Sequence, residues 1–290
     1  MIKRLLPILL LAAVPLLAQP APERYVVAVP VADMHKAPSA DAEVVSQAMF
    51  SSPVVALERE DDWVKIRTTI DDYTGWVRAW TLTKEDAGAP YRSGRTAIVT
   101  SLFANLYREP NIETHRPVTT IPFEARLPVV GETTRDKVLY YEVRLPDGTS
   151  AFVQAGDVAF EPKPLTIDEA IALGKRFLGL PYLWGGTTSR GYDCSGYTQM
   201  LMRQRGYMIP RDSSVQARWE GSATVDRADL QPGDLLYFGR PAEKKVNHTG
   251  MYIGGGEFIH CTRVGRPSVQ IGTLDDPHWS DSFVTARRVK

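Results

Sequence analysis

The sequence predicts a multidomain chain in which two small all-β barrels precede an α+β domain, and three observations predict it. Short segments of the first half recur in the same order about 72 to 77 residues further on, which marks an internal repeat. Within each copy, alternating apolar runs are bounded by Asp, Gly and Pro, the pattern of strands and turns. From residue 166 the apolar spacing changes to that of helices. About 270 residues remain once a leader is removed, more than one core usually holds.

The leader is the stretch "MIKRLLPILLLAAVPLLAQPAPERY", in which Lys3 and Arg4 precede an apolar run from Leu5 to Leu17, closed by Ala18. A basic start, a short apolar stretch and a small residue read as a secretory signal peptide over 1–18. The run is short for a membrane span and is interrupted by Pro7 and Pro15, so no stable insertion is expected after cleavage. Gln19 stands where a lipoprotein needs a cysteine. The product is expected in the periplasm, the cell envelope or the medium. Over the whole chain 34 basic residues balance 34 acidic ones, so there is no field to attract nucleic acid. Two cysteines are too few for a disulfide scaffold.

The repeat pairs "MHKAPSADAEVVS" with "LYREPNIETHRPV", "SPVVALERE" with "LPVVGETTR", "WVKIR" with "YYEVR", and "YTGWVRAW" with "TSAFVQAG". The two copies occupy 24–84 and 95–160, separated by "EDAGAPYRSG" and followed by "EPKPLT", both without periodicity. The aromatics Trp63, Trp76, Trp80, Tyr140 and Phe152 are expected in barrel cores or at interfaces. With a proline turn followed by a "GWV" or "AFV" strand, each copy resembles a bacterial SH3 domain.

The third domain, 166–290, opens on "TIDEAIALGKRFLGLPY". Thr166 and Glu169 have the spacing of a capping box, Ile167, Ala170, Ile171, Leu173 and Gly174 form an apolar face, and the helix is expected to end near Gly179 and Pro181. A glycine-rich loop follows, then Cys194 with Tyr197, Met200 and Leu201 at helical spacing. Cys194 is thus in the first turn of a helix, where backbone N–H groups and the helix dipole favour a thiolate and should lower its pKa. A buried structural cysteine is the plain alternative.

Downstream, "GDLLYFG" reads as a strand and "NHTGMYIGGGEFIHC" as a hairpin turning near Gly254, which would set His248 opposite His260 on one face. A cysteine at a helix start with two facing histidines supplies a nucleophile, a base and an orienting group. Zinc held by Cys194, His248, His260 and Cys261 is the competing arrangement. Adjacent strand residues point to opposite faces, so His260 and Cys261 cannot share one ion, and Cys194 should not pair with Cys261. No metal or other cofactor is expected. His35, His115 and His278 belong to no such group.

The motifs "PYLWGG", "GYDCSG", "PRDSSVQ", "GDLLYF" and "HTGMYIGGGEFIH", in this order over 166–290, resemble those of the NlpC-type cell-wall cysteine endopeptidases, which have a papain-like fold. Together with two SH3-type domains in front, they resemble the subgroup that cleaves the γ-D-glutamyl to L-diamino acid bond of peptidoglycan stem peptides. The resemblance implies Cys194 as nucleophile, His248 as base, His260 as its orienter, and Tyr182 on the oxyanion side with the Cys194 N–H. It further implies substrate contacts by Asp193, Ser195 and Ser213. In that subgroup the first SH3-type domain closes one cleft end, and a tyrosine from it helps to bind a free N-terminal L-Ala. Tyr73 of "DDYTGW" matches best, with Asp193 as the carboxylate for the ammonium and Asp33 as a second acidic contact. A non-catalytic wall-binding protein, or an amidase or acyltransferase on the same scaffold, remain the alternatives.

Overall fold

In the strand Trp63–Thr68, Trp63, Val64 and Ile66 are buried while Lys65 and Arg67 reach outward, the alternation by which a short strand covers a small core. Such strands build three units in a computed structural model that describes residues 23–86, 90–92 and 94–290. The signal-peptide expectation for 1–18 lies outside the described residues.

The first unit is a seven-stranded antiparallel sheet in the spatial order Val44–Met49, Val31–His35, Thr74–Arg78, Trp63–Thr68, Pro53–Glu60, Arg24–Val27 and Leu82–Lys84. It encloses Val27, Met34, Val64, Ile66 and Val77. In the second, a five-stranded sheet runs Ser150–Gln154, Val138–Arg144, Arg126–Arg135, Thr96–Val99 and Val158–Phe160, with Phe103–Leu106 pairing Thr119–Pro122 beside it. Its core holds Val99, Leu106, Ile121, Leu127 and Val153. Trp63, Trp76 and Tyr140 are buried. Trp80 departs from expectation at 70% exposed, because it belongs to a one-turn helix, Ala79–Thr81, at the rim of the sheet.

The third unit carries four helices, α1 (Ile167–Lys175), α2 (Cys194–Gln204), α3 (Ser213–Gln216) and α4 (Pro277–Ser282). Its six-stranded antiparallel sheet runs Ser222–Val225, Phe283–Val289, Leu235–Arg240, Lys245–Gly254, Glu257–Thr262 and Ser268–Thr273. The capping box forms: Glu169 N donates to Thr166 Oγ1 at 3.3 Å and Thr166 N to Glu169 Oε2 at 2.8 Å. Helix α1 ends at Lys175, before the expected Gly179, because the chain turns there and the Gly179 N–H bonds to Val269 O of the sheet. One face of the sheet presents Tyr237, Met251, Ile259 and Cys261 to Tyr197, Met200 and Leu201 of α2. The other packs Leu236, Phe238 and Phe258 against Trp279 of α4.

Polar ties between the units position the site. Gln47 of the first unit accepts from Thr187 N at 3.0 Å and from Thr188 Oγ1 at 3.2 Å. Glu124 of the second receives a two-pronged bond from Arg203 of α2, 2.8 and 2.6 Å, and Phe123 beside it enters the core under α2.

Candidate active site

Asp193 ends the glycine-rich loop in extended backbone and caps α2, its Oδ1 accepting from Gly196 N at 2.7 Å, so Cys194 is the first residue of the helix. Residue 196 has to be glycine, because a Cβ there would run into the Gly186 carbonyl. Cys194 lines a cleft of about 740 Å³ walled on one side by Tyr182, Trp184, Arg211, Asp212 and Ser213, and on the other by Lys65, Tyr73 and Trp76 of the first unit. Helix α2 packs on the strand Lys245–Gly254, which carries His248 and Thr249.

His248 Nε2 and His260 Nδ1 share a hydrogen bond of 2.8 Å, but the rings are not directly opposed as expected. The hairpin turns on Gly254, Gly255 and Gly256, at φ +98°, +62° and +80°. The resulting register, Met251 opposite Ile259, sets Gly250 across from His260 and makes the histidines diagonal neighbours. A Cβ at 250 would stand 3.0 Å from that of His260, so the glycine leaves room for the rings to meet. Trp279 stacks on His248, centroids 5.0 Å apart at 30°, and meets the edge of His260 at 4.8 Å. This lid covers the bond between the two rings. His278, expected to stand apart, meets the Trp279 ring edge-to-face, centroids 4.6 Å apart. His35 bonds Ala42 O and His115 sits 3.5 Å from Glu109. Cys261 points into the α2 core, its thiol donating to Tyr192 O at 3.0 Å, on the face opposite His260; both cysteines are free thiols.

The thiol is not lowered in the way the helix start alone suggests. Cys194 is buried at 7% exposure, and burial, with the Asp193 carboxylate adding to it, pushes its pKa up to about 12 against the opposing pull of backbone N–H groups and Arg211. Burial takes His248 down to about 3 and His260 well below the usual imidazole range. Burial thus favours the neutral thiol and the neutral imidazoles. Alkylation of Cys194 by iodoacetamide in the free protein should therefore climb through the alkaline range, since only the thiolate reacts and a raised pKa keeps it scarce at neutrality. A rate already flat from pH 6 upward would reveal a preformed thiolate.

Asp193, Ser195 and Arg211 form one buried network. Arg211 Nη2 lies 2.6 Å from Asp193 Oδ2, its Nη1 donates to Asp193 Oδ1 at 3.1 Å and to Ser195 Oγ at 2.8 Å, and its Nε reaches Ser46 of the first unit at 3.2 Å. With the pair almost wholly buried, removing the cation strands a carboxylate away from water. Arg211→Ala should cost about 3 to 5 kcal/mol of stability, measurable by urea unfolding.

The Asp193 carboxylate is thus already neutralised, and the one beside Tyr73 is Asp212. Tyr73 Oη donates to Asp212 Oδ1 and Oδ2 at 3.3 and 3.4 Å across the cleft; burial and that carboxylate raise the phenol to about 12. No basic side chain bonds Asp212 among the described residues. Ser213 lines the cleft next to it, at the start of α3. Asp33 is not brought to the cleft: its carboxylate accepts from Gln47 at 2.9 Å, and the acidic residues of the first unit that do line the cleft are Glu43, bonded to Trp184 Nε1 at 3.1 Å, and Asp72, paired with Arg67. Burial raises the pKa of Tyr182, and the nearby Asp193 carboxylate adds to it; the ring lines the cleft with Cys194. Arg211, Asp212 and Trp279 escaped the sequence reading. The first two stand inside "PRDSSVQ", where a charged pair beside Ser213 was the available signal; Trp279 gave none.

Comparison with known proteins matches two parts of the chain to family models. The model of the NlpC/P60 family matches residues 179–288, and that of the bacterial SH3 domain matches 30–83. A gamma-D-glutamyl-L-lysine dipeptidyl-peptidase of Bacillus cereus is 35% identical over 257 residues, covering 84% of this chain and 74% of its own. One of the same name from Bacillus subtilis is 29% identical, covering 86% and 82%. The crystal structure of an NlpC/P60 family protein from Bacillus cereus superposes with a TM-score of 0.80 at 29% identity, covering 92% of this chain and 99% of its own.

Proposed function

The chain belongs to the NlpC/P60 family of cysteine peptidases, with an SH3-like β region in front of the peptidase domain, and from that premise we propose that it hydrolyses the γ-D-glutamyl to L-diamino acid bond of peptidoglycan stem peptides that begin with a free L-Ala. The observation that carries this reading is the Tyr73–Asp212 pair, which lines the cleft holding Cys194 and whose carboxylate forms no salt bridge among the described residues. An ammonium is the group such a carboxylate lacks. A glycan amide on the alanine would remove that charge and needs space that the first unit fills.

In this mechanism the Cys194 sulfur attacks the γ-carbonyl carbon as His248 takes the thiol proton. Nδ1 of His248 is the nitrogen left for this, because Nε2 is held by His260. Tyr182 and the Cys194 backbone N–H donate to the developing oxyanion. His248 returns the proton to the leaving amine of the diamino acid, and water then cleaves the thioester to release L-Ala-D-Glu. Asp193 and Ser195, locked by Arg211, fix the helix start, and Ser213 contacts the substrate beside Asp212.

The reading extends to the rest of the chain as a signal peptide at 1–18, a first SH3-like domain at 24–84, a second at 95–160 and a papain-like domain at 166–290. Support for the second barrel is its long hairpin Arg126–Arg135 to Val138–Arg144, the counterpart of Pro53–Glu60 to Trp63–Thr68 in the first. An exported enzyme acting on released stem peptides suits muropeptide turnover in the envelope. Incubation with L-Ala-γ-D-Glu-L-Lys and its diaminopimelate counterpart, with products identified by mass spectrometry, tests the bond assignment: L-Ala-D-Glu is expected, and release of L-Ala alone would refute it.

A further inference from the structure

Away from Cys194, a second cavity of about 440 Å³ opens where the three units meet, bounded by Thr68 and Asp71 of the first, Arg92 and Arg126 on the second, and Arg203 of α2. Its lining holds four cationic side chains, Arg92, Arg126, Lys163 and Arg203, against two carboxylates, Asp71 and Glu124. Both carboxylates are occupied. Glu124 accepts from Arg203 and from Gln204 at 2.6 Å, and Asp71 accepts from Gln199 at 3.1 Å and Thr68 at 2.5 Å. Arg92, Arg126 and Lys163 take part in no ion pair among the described residues. Glu85, a further carboxylate near Arg92, is held by Arg24 at 3.0 Å and by Tyr91 N at 3.0 Å. Arg92 is half-buried, and its burial and the neighbouring charge of Arg126 hold it below the usual guanidinium range. Two guanidiniums lining one cavity, one of them half-buried, repel each other unless an anion lies between them.

We propose that this junction binds a small anion bearing two negative charges, a phosphate monoester or a dicarboxylate, whose charged end sits between Arg92 and Arg126. Paired guanidiniums suit such oxygens because each presents a planar fork of donors. The walls come from all three units, so a bound anion ties them together. It also lies behind the turn that carries Tyr73, whose N–H is held by Thr68 Oγ1 at 3.1 Å and Asp71 Oδ1 at 3.4 Å.

The test is thermal unfolding of the full protein with increasing inorganic phosphate or succinate, against sodium chloride at equal ionic strength. A ligand of the folded junction raises Tm saturably, by a few degrees, where chloride does not. The Arg92→Gln/Arg126→Gln double variant should lose that rise, keep its cleavage rate on stem peptide, and melt no lower than the parent without ligand, since it has shed a repulsion. Arg126→Gln alone, at an exposed position, should weaken the response. The preferred arm, phosphate or succinate, identifies the class of ligand. A rise that survives in the double variant, or none with either anion in the parent, overturns the proposal.

Discussion

Replacing Cys194 with alanine is expected to lower the hydrolysis of stem peptide by on the order of 10⁴-fold or more while the protein stays folded. The size follows from the mechanism: without the sulfur there is no thioester, and neither His248 nor the oxyanion donors act on anything else. Cys194 is buried rather than partly exposed, yet the substitution removes one atom at the cleft wall, so the stability cost should stay near about 1 kcal/mol. His248→Ala should cost about 10² to 10⁴-fold, because proton transfer is lost outright. His260→Ala should cost less, since the Trp279 stack still restrains the His248 ring. Circular dichroism and urea unfolding separate these losses from misfolding. Turnover retained in the folded Cys194→Ala protein would end the cysteine mechanism.

The second large effect concerns the substrate's amino terminus. Asp212→Asn keeps the shape of the side chain and its contact with Tyr73 but removes the charge proposed to face the ammonium. A charge-assisted hydrogen bond contributes about 1.5 to 3 kcal/mol, so kcat/KM on free tripeptide should fall about 10- to 100-fold. Tyr73→Phe should cost less, because the phenol is neutral and its role is to hold the carboxylate in place. On an N-acetylated peptide, where no ammonium exists, Asp212→Asn should change little. An equal loss on both substrates would mean that Asp212 serves the fold and not the amine.

The parts of this site that were legible in the sequence depend on local rules. Thr166 and Glu169 announce a helix start, Cys194 opens a run of helical apolar spacing, and two histidines flank a glycine turn, all within short stretches of chain. What was not legible depends on distance in the chain. Asp193 read as a free carboxylate because nothing near it in sequence says that Arg211, eighteen residues on, will neutralise it. Trp279 gave no signal because its stack on His248 exists only once α4 folds back over the sheet. The diagonal placement of His248 and His260 was lost to three glycines, whose left-handed turn moves the register by an amount that spacing alone does not fix. The thiol shows the same limit on the electrostatic side: the helix start is local and visible, whereas the burial that outweighs it is a property of the assembled cleft.

The most direct test is a single competition. An equimolar mixture of L-Ala-γ-D-Glu-L-diamino acid tripeptide and its N-acetylated form is given to the full protein, and products are followed by mass spectrometry. The account predicts that L-Ala-D-Glu and free diamino acid accumulate while the acetylated peptide stays intact. Acetyl-L-Ala-D-Glu appearing at a comparable rate would contradict the proposed recognition of the free amine, and cleavage at any other bond would contradict the function assigned to the protein.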